Sequence, residues 1–235
     1  MTSSMTATTE PAGGRGRTDG DPSTVKVRVP DHVVAWLDGE VGPDGPRIIE
    51  DAPSASAGFS LPTWVAGVRE QHPAALVAAT YPPHLMGRTD EVRRSQAEWL
   101  DLTEAAAGMD HGVDERSFTG DTTPTSLSSL RRWAKDRLDG HPVNLDDAVL
   151  TLSELTTNVE RHGGDWLTVD LVERERDLVL AVSDPAVDRL PQPRDAGPHE
   201  PSGRGLLVVA TLSMRWGVVV RPSRKTVWAA FAHRA

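Results

Sequence analysis

Cysteine is absent from the 235 residues, which excludes disulfides, thiolate metal sites and thiol nucleophiles. No stretch approaches the roughly 18 apolar residues that a bilayer-spanning helix needs, and Met1 to Gly20 carries no apolar run of the secretory-leader kind. An excess of positive charge is also missing: 25 Lys and Arg face 34 Asp and Glu, for a formal charge of -9. An acidic surface repels phosphate backbones and anionic lipid, so nucleic acid and membrane are disfavoured as partners. These absences lead to the expectation of a cytoplasmic protein. The hydrophobic share of 38% is enough for a buried core, and the 18 prolines point to a sizeable loop fraction.

Composition shifts divide the chain. Residues 1–23 are Ser, Thr, Gly, Pro and charge, which reads as a disordered lead-in. Residues 24–110 form a small N-terminal domain of unclear pattern. Val25, Val27 and Val29 alternate as in a strand, and Pro30-Asp31 is expected to open a short helix carrying Val33, Val34 and Leu37. Further helices are expected over Leu61 to Gln71 and Glu91 to Ala107. The segment from Val25 to Asp38 resembles the opening strand and first helix of ribbon-helix-helix DNA-binding proteins. No second helix follows, so a small partner or sensor domain is the preferred reading.

Residues 114–233 are more regular. Leu127, Leu130, Ala134 and Leu138 recur at helical spacing up to a stop at Gly140. A second helix, from Leu145 to His162, has the apolar stripe Leu145, Val149, Leu152, Leu155 and Val159, and Gly163-Gly164 ends it. Strands follow at Leu167 to Leu171 and Leu178 to Val182, then a proline-rich loop over Pro185 to Ser202, a helix over Leu206 to Leu212, and strands at Trp216 to Val220 and Thr226 to Ala232. This order predicts an α+β fold: a two-layer α/β sandwich with a mainly antiparallel, mixed sheet and helices on one face.

Four elements carry candidate chemistry. Asp147, Glu154, Asn158 and Arg161 align on the second helix opposite its apolar stripe. Such a face is ordinarily just solvated. However, a carboxylate and a carboxamide one turn apart can act together on a metal-bound phosphate, Asn158 as a hard oxygen ligand for Mg2+ and Glu154 as a base or water-orienting group. Asp184, at a strand end facing a long loop, is either a turn former or an acceptor for an adenine amino group. Gly203-Arg204-Gly205-Leu206 opens a helix, where backbone N–H groups attract phosphate. Lys225-Thr226 opens the last strand. No Walker sequence occurs in the chain.

The runs Ser153 to Gly163, Val182 to Pro185, Gly203 to Leu207 and Lys225 to Trp228, taken in this order, resemble the GHKL (gyrase, heat-shock chaperone, histidine kinase, mismatch-repair) ATP-binding fold. More narrowly, they are similar to its anti-sigma-factor serine kinase branch. That resemblance implies a histidine kinase-like ATPase fold over 114–233, with ATP and Mg2+ as cofactors. Glu154 would be the catalytic base and Asn158 the Mg2+ ligand. Asp184 would bind adenine with help from Thr226, and Gly203, Arg204, Gly205 and Leu206 would shape the phosphate-covering end of a lid. The chain departs from the pattern twice: Asp184-Pro185-Ala186-Val187-Asp188 lacks the usual glycines, and Arg224 replaces the glycine before Lys225-Thr226.

The function implied is a protein serine/threonine kinase that modifies an antagonist protein and sequesters a sigma factor, and the resemblance also implies a homodimer. The alternative is a catalytically inactive nucleotide-binding or sequestering module. A two-component histidine kinase is disfavoured, because no long helical segment with an exposed histidine precedes the domain.

Overall fold

A computed structural model describes residues 30, 32–42, 45–51, 59–81, 96–108, 116–192 and 204–234. The expected strand at Val25 to Val29 lies outside them.

The C-terminal half follows its apolar periodicities. Helix α3 (Pro124–Leu138) starts where the Thr123 side chain accepts the Ser126 N–H at 3.3 Å, with proline in the first turn. It buries Leu127, Leu130, Ala134 and Leu138, and Gly140 turns the chain away at φ 72°, a value that costs glycine little. Helix α4 (Leu145–His162) is capped by Asn144 and buries Ala148, Thr151, Leu152, Leu155, Thr156 and Val159. Strands β5 (Trp166–Glu173) and β6 (Asp177–Asp184) form a hairpin closed by the Arg174 N–H on the Asp177 carbonyl at 2.9 Å. Helix α5 (Gly205–Leu212) then leads into β7 (Arg215–Val220) and β8 (Lys225–Ala232). One further strand, β4 (Ser117–Asp121), precedes α3 and pairs with β5. Sequence reading misses it because Ser117-Phe-Thr-Gly-Asp121 has no apolar alternation.

The N-terminal half contributes β1 (His32–Trp36), β2 (Arg47–Asp51), α1 (Leu61–Gln71), β3 (Leu76–Tyr81) and α2 (Gln96–Ala107). All eight strands among the described residues belong to one sheet, in the order β2-β1-β3-β7-β8-β6-β5-β4. The β3–β7 ladder carries that sheet across the boundary drawn near residue 110.

Four expectations are corrected. Residues 32–36 form a strand, not a helix: Val33, Val34, Ala35 and Trp36 are wholly buried between two neighbouring strands, and an edge-to-edge ladder outweighs the weak helical spacing. The ribbon-helix-helix resemblance fails with it, since the helix it requires is absent at those residues. Every ladder among the described residues is antiparallel, so the sheet is not mixed. Finally, helices are not confined to one face. Helices α1, α3, α4 and α5 cover one side, with Leu127, Leu152, Val209 and Val65 in its core. Helix α2 lies on the other, where Leu102, Ala106 and Ala107 meet Trp36, Val219 and Trp228. Strand alternation sends every second residue to each side, and both sides of the central strands are apolar, so both require cover.

Candidate functional site

The polar face of α4 is held in place by its opposite stripe. With Leu152, Leu155 and Val159 buried against the sheet, Glu154 and Asn158 emerge half-buried one turn apart. They meet the start of α5. A Cβ built on Gly205 would lie 2.7 Å from Glu154 Oε2 and 3.8 Å from Asn158 Nδ2, so only glycine allows this approach without moving Glu154. The first N–H groups of α5 have no intrahelical acceptor, and Arg204 offers no side-chain cap. The Glu154 carboxylate therefore stands at the positive end of a helix dipole. Among the described residues, neither the Glu154 nor the Asn158 head group takes part in an ion pair or side-chain hydrogen bond.

Asp184 lies under the C-terminal end of α4. A Cβ on Gly163 would come within 3.0 Å of the Asp184 carboxyl carbon and 2.7 Å of Val159 Cα, so the helix end and the strand end touch through a glycine. Asp184 is 2% exposed. Its Oδ1 accepts Lys225 Nζ at 2.5 Å and the Ala186 N–H at 2.8 Å, and Lys225 Nζ also donates to the Ala186 carbonyl at 2.8 Å. Burial pushes the Asp184 carboxyl above the usual carboxylate range, opposed by Lys225 and the Ala186 N–H; burial likewise pulls the Lys225 ammonium down, opposed by Asp184. Lys225 is thus the partner that sequence reasoning did not assign.

Thr226 does not assist Asp184. The register pairs Ser183 with Thr226 and Asp184 with Lys225, so adjacent positions point to opposite sides of the sheet. Thr226, wholly buried on the α2 side, shares a 2.8 Å hydrogen bond with Ser183 Oγ and accepts Arg221 Nη1 at 3.1 Å. Arg221 also donates to the Ala107 carbonyl at the C-terminal end of α2, a favourable position for a cation. The strand alternation that hides Thr226 brings Lys225 to Asp184; the sequence carries that signal only once the register is known.

The remaining predicted residues flank Gly205 in sequence. Gly203 lies outside the described residues, Arg204 is exposed, and Leu206 packs on the edge of the helix-side core. The described part of the proline-rich loop is folded, with turns closed by the Val187 N–H on Pro185 O at 2.9 Å and the Arg189 N–H on Ala186 O at 3.1 Å. Its far end is tied down by the Tyr81 hydroxyl, which donates to Pro191 O at 3.3 Å while its ring stacks on Trp216 at 4.2 Å. A cavity of about 490 Å³ opens between this loop and α1, lined by Val65, Arg69, Glu70, Val187, Asp188 and Leu190 among others. It begins three residues past Asp184, and Glu154, Asn158 and Asp184 do not line it.

No family model matches the chain, and no curated protein is significantly similar to it.

Proposed function

We propose that the protein is an ATP-binding regulatory switch of the histidine kinase-like ATPase type. In this reading it transfers phosphate to a serine or threonine of an antagonist protein and controls a sigma factor by sequestration. The reading rests on one observation: Glu154 and Asn158, one turn apart and without other partners among the described residues, converge on Gly205 at the start of α5. That set suits a magnesium-bound phosphate. Asn158 offers a neutral oxygen to the cation, Glu154 can hold a water or take a proton, and the α5 N-terminus favours negative charge. Bound Mg2+-ATP would supply the transferable phosphoryl group. The base-recognition end fits less directly, because Lys225 already occupies one Asp184 oxygen.

The engagement of Asp184 favours a second reading, in which nucleotide or partner is bound without turnover. Calorimetry with Mg2+-ATP on the full chain, followed by phosphorylation assays with a candidate antagonist, separates the two. Saturable binding that Asn158→Ala weakens about tenfold or more, with phosphate transfer that Glu154→Gln abolishes, supports the kinase. Binding without transfer supports the second reading. Absence of nucleotide binding overturns the kinase and leaves only a module that sequesters a partner without nucleotide.

A further inference from the structure

At the end of β6 and β8 opposite Asp184, side chains from three separate segments meet. His141 comes from the turn after α3, Glu173 closes β5, and His233 follows β8. One ligand atom from each lies within 4.8 Å of the others. His141 Nε2 hydrogen-bonds Glu173 Oε2, and His233 Nε2 lies 3.1 Å from Glu173 Oε1. That second contact has ion-pair distance but not hydrogen-bond geometry: His233 Nε2 is a buried nitrogen with no hydrogen-bond partner, and so is His141 Nδ1. The two rings meet edge to face, with centroids 5.5 Å apart.

The backbone around the cluster is fixed independently. The His141 N–H bonds Leu138 O at 3.1 Å, the His233 N–H bonds Arg176 O at 3.0 Å, and the Arg234 N–H bonds Pro142 O at 2.5 Å. Tail, hairpin turn and interhelical turn are therefore already docked before any ligand arrives. The side chains of His141, His233 and Glu173 remain 17%, 18% and 34% exposed, so the group is reachable from solvent.

We propose that His141, Glu173 and His233 form a binding site for a divalent transition metal of the zinc class, with water completing the shell. Two imidazoles and one carboxylate match the borderline ligands zinc accepts, and three protein ligands leave an open position. Magnesium, which takes oxygen ligands, is not the ion this set selects. Zinc bonds of about 2.0–2.1 Å put tetrahedral ligands roughly 3.3 Å apart, so no pair needs to close by more than roughly 1.5 Å. Seven residue steps separate Asp177 from Asp184 along β6, or about 24 Å, so this cluster lies at the opposite end of the strand from Asp184, and it shares no residue with the set at Glu154 and Asn158. Its effect would be to staple the C-terminal tail to the β5–β6 hairpin and the α3–α4 turn.

The test is calorimetric titration of zinc chloride into chelator-treated full-length protein. One saturable site is expected, lost or weakened at least about a hundredfold in Glu173→Gln and in His233→Ala, beyond what supporting groups around a metal contribute. His162→Ala, on an exposed histidine elsewhere, should bind as the native chain does. Circular dichroism establishes that the variants are folded. In the native chain, cobalt should produce d–d bands and shift the imidazole resonances of two histidines, a readout that needs no variant. Absence of saturable zinc binding, or affinity unchanged in both ligand variants, overturns the site and leaves a solvated His–Glu ion-pair cluster.

Discussion

The rungs Ser183–Thr226 and Asp184–Lys225 are neighbours on the same strand pair, yet they occupy different environments. On the α2 side, two hydroxyls bond each other and a guanidinium whose charge is met by carbonyls at a helix C-terminus. On the other side, an ammonium meets a carboxylate and a backbone carbonyl beneath the end of α4. The first rung joins neutral groups, and the second keeps two charges almost out of water. A one-residue step along a strand therefore separates a stabilising hydrogen-bond network from a charged pair whose members depend on each other, and the two rungs should respond differently to substitution.

The largest effect is expected at the charged rung. Lys225→Met leaves Asp184 as an uncompensated buried carboxylate and should cost about 3–5 kcal/mol in urea unfolding. The pH dependence sharpens this. Asp184 already binds its proton more readily in the folded chain than its ordinary value of 3.8 allows. Such a group contributes stability that is complete below 3.8 and is lost as pH rises through its folded value. Without Lys225 the folded value moves higher still, so the variant should lose stability more steeply than the native chain as pH is raised above 4. Equal pH slopes for the two proteins would show that Lys225 does not support the carboxylate. At the neutral rung, Thr226→Val keeps the shape but strips Ser183 and Arg221 of a partner, and a loss of about 1–3 kcal/mol with no added pH slope is expected.

This contrast also marks what the sequence could and could not reveal. The helices α3 and α4 and the strands β5 to β8 are legible because apolar spacing, caps and glycine stops agree. Glu154 and Asn158 are legible for the same reason, since positions four apart on a helix share a face whatever lies around them. Asp184 and Thr226 are not, because which strand residues share a face depends on pairing between segments about forty residues apart. The strands β1 and β3 are obscured differently: their apolar runs are short and continuous, and short runs do not distinguish buried strand from helix. His141, Glu173 and His233 come together only through tertiary packing, with no local spacing to announce them.

Smaller effects on folding are expected where side chains stand without partners, and these separate function from scaffolding. Glu154→Gln and Asn158→Ala should leave stability within about 0.5 kcal/mol of the native chain, since no hydrogen bond or ion pair among the described residues is removed. Nucleotide affinity, measured by calorimetry, should nevertheless fall in Asn158→Ala if the proposed phosphate site is correct. A stability loss of several kcal/mol in either variant would instead place these residues in the scaffold, alongside Asp184 and Lys225.

The subtlest substitution is Gly205→Ala. The added methyl would approach Glu154 Oε2 to 2.7 Å, but that oxygen ends a flexible side chain, which can swing aside at little cost. Gly205 is the first residue of α5, where alanine gains less than the roughly 0.5–1 kcal/mol of a helix interior, so the net change in melting temperature should be near zero. What changes is the position of the carboxylate relative to Asn158 and the α5 N-terminus. If these groups act together on phosphate, Mg2+-ATP should bind Gly205→Ala more weakly although the fold is as stable as before. If affinity and stability are both unmoved, the close approach of α5 to α4 is packing alone.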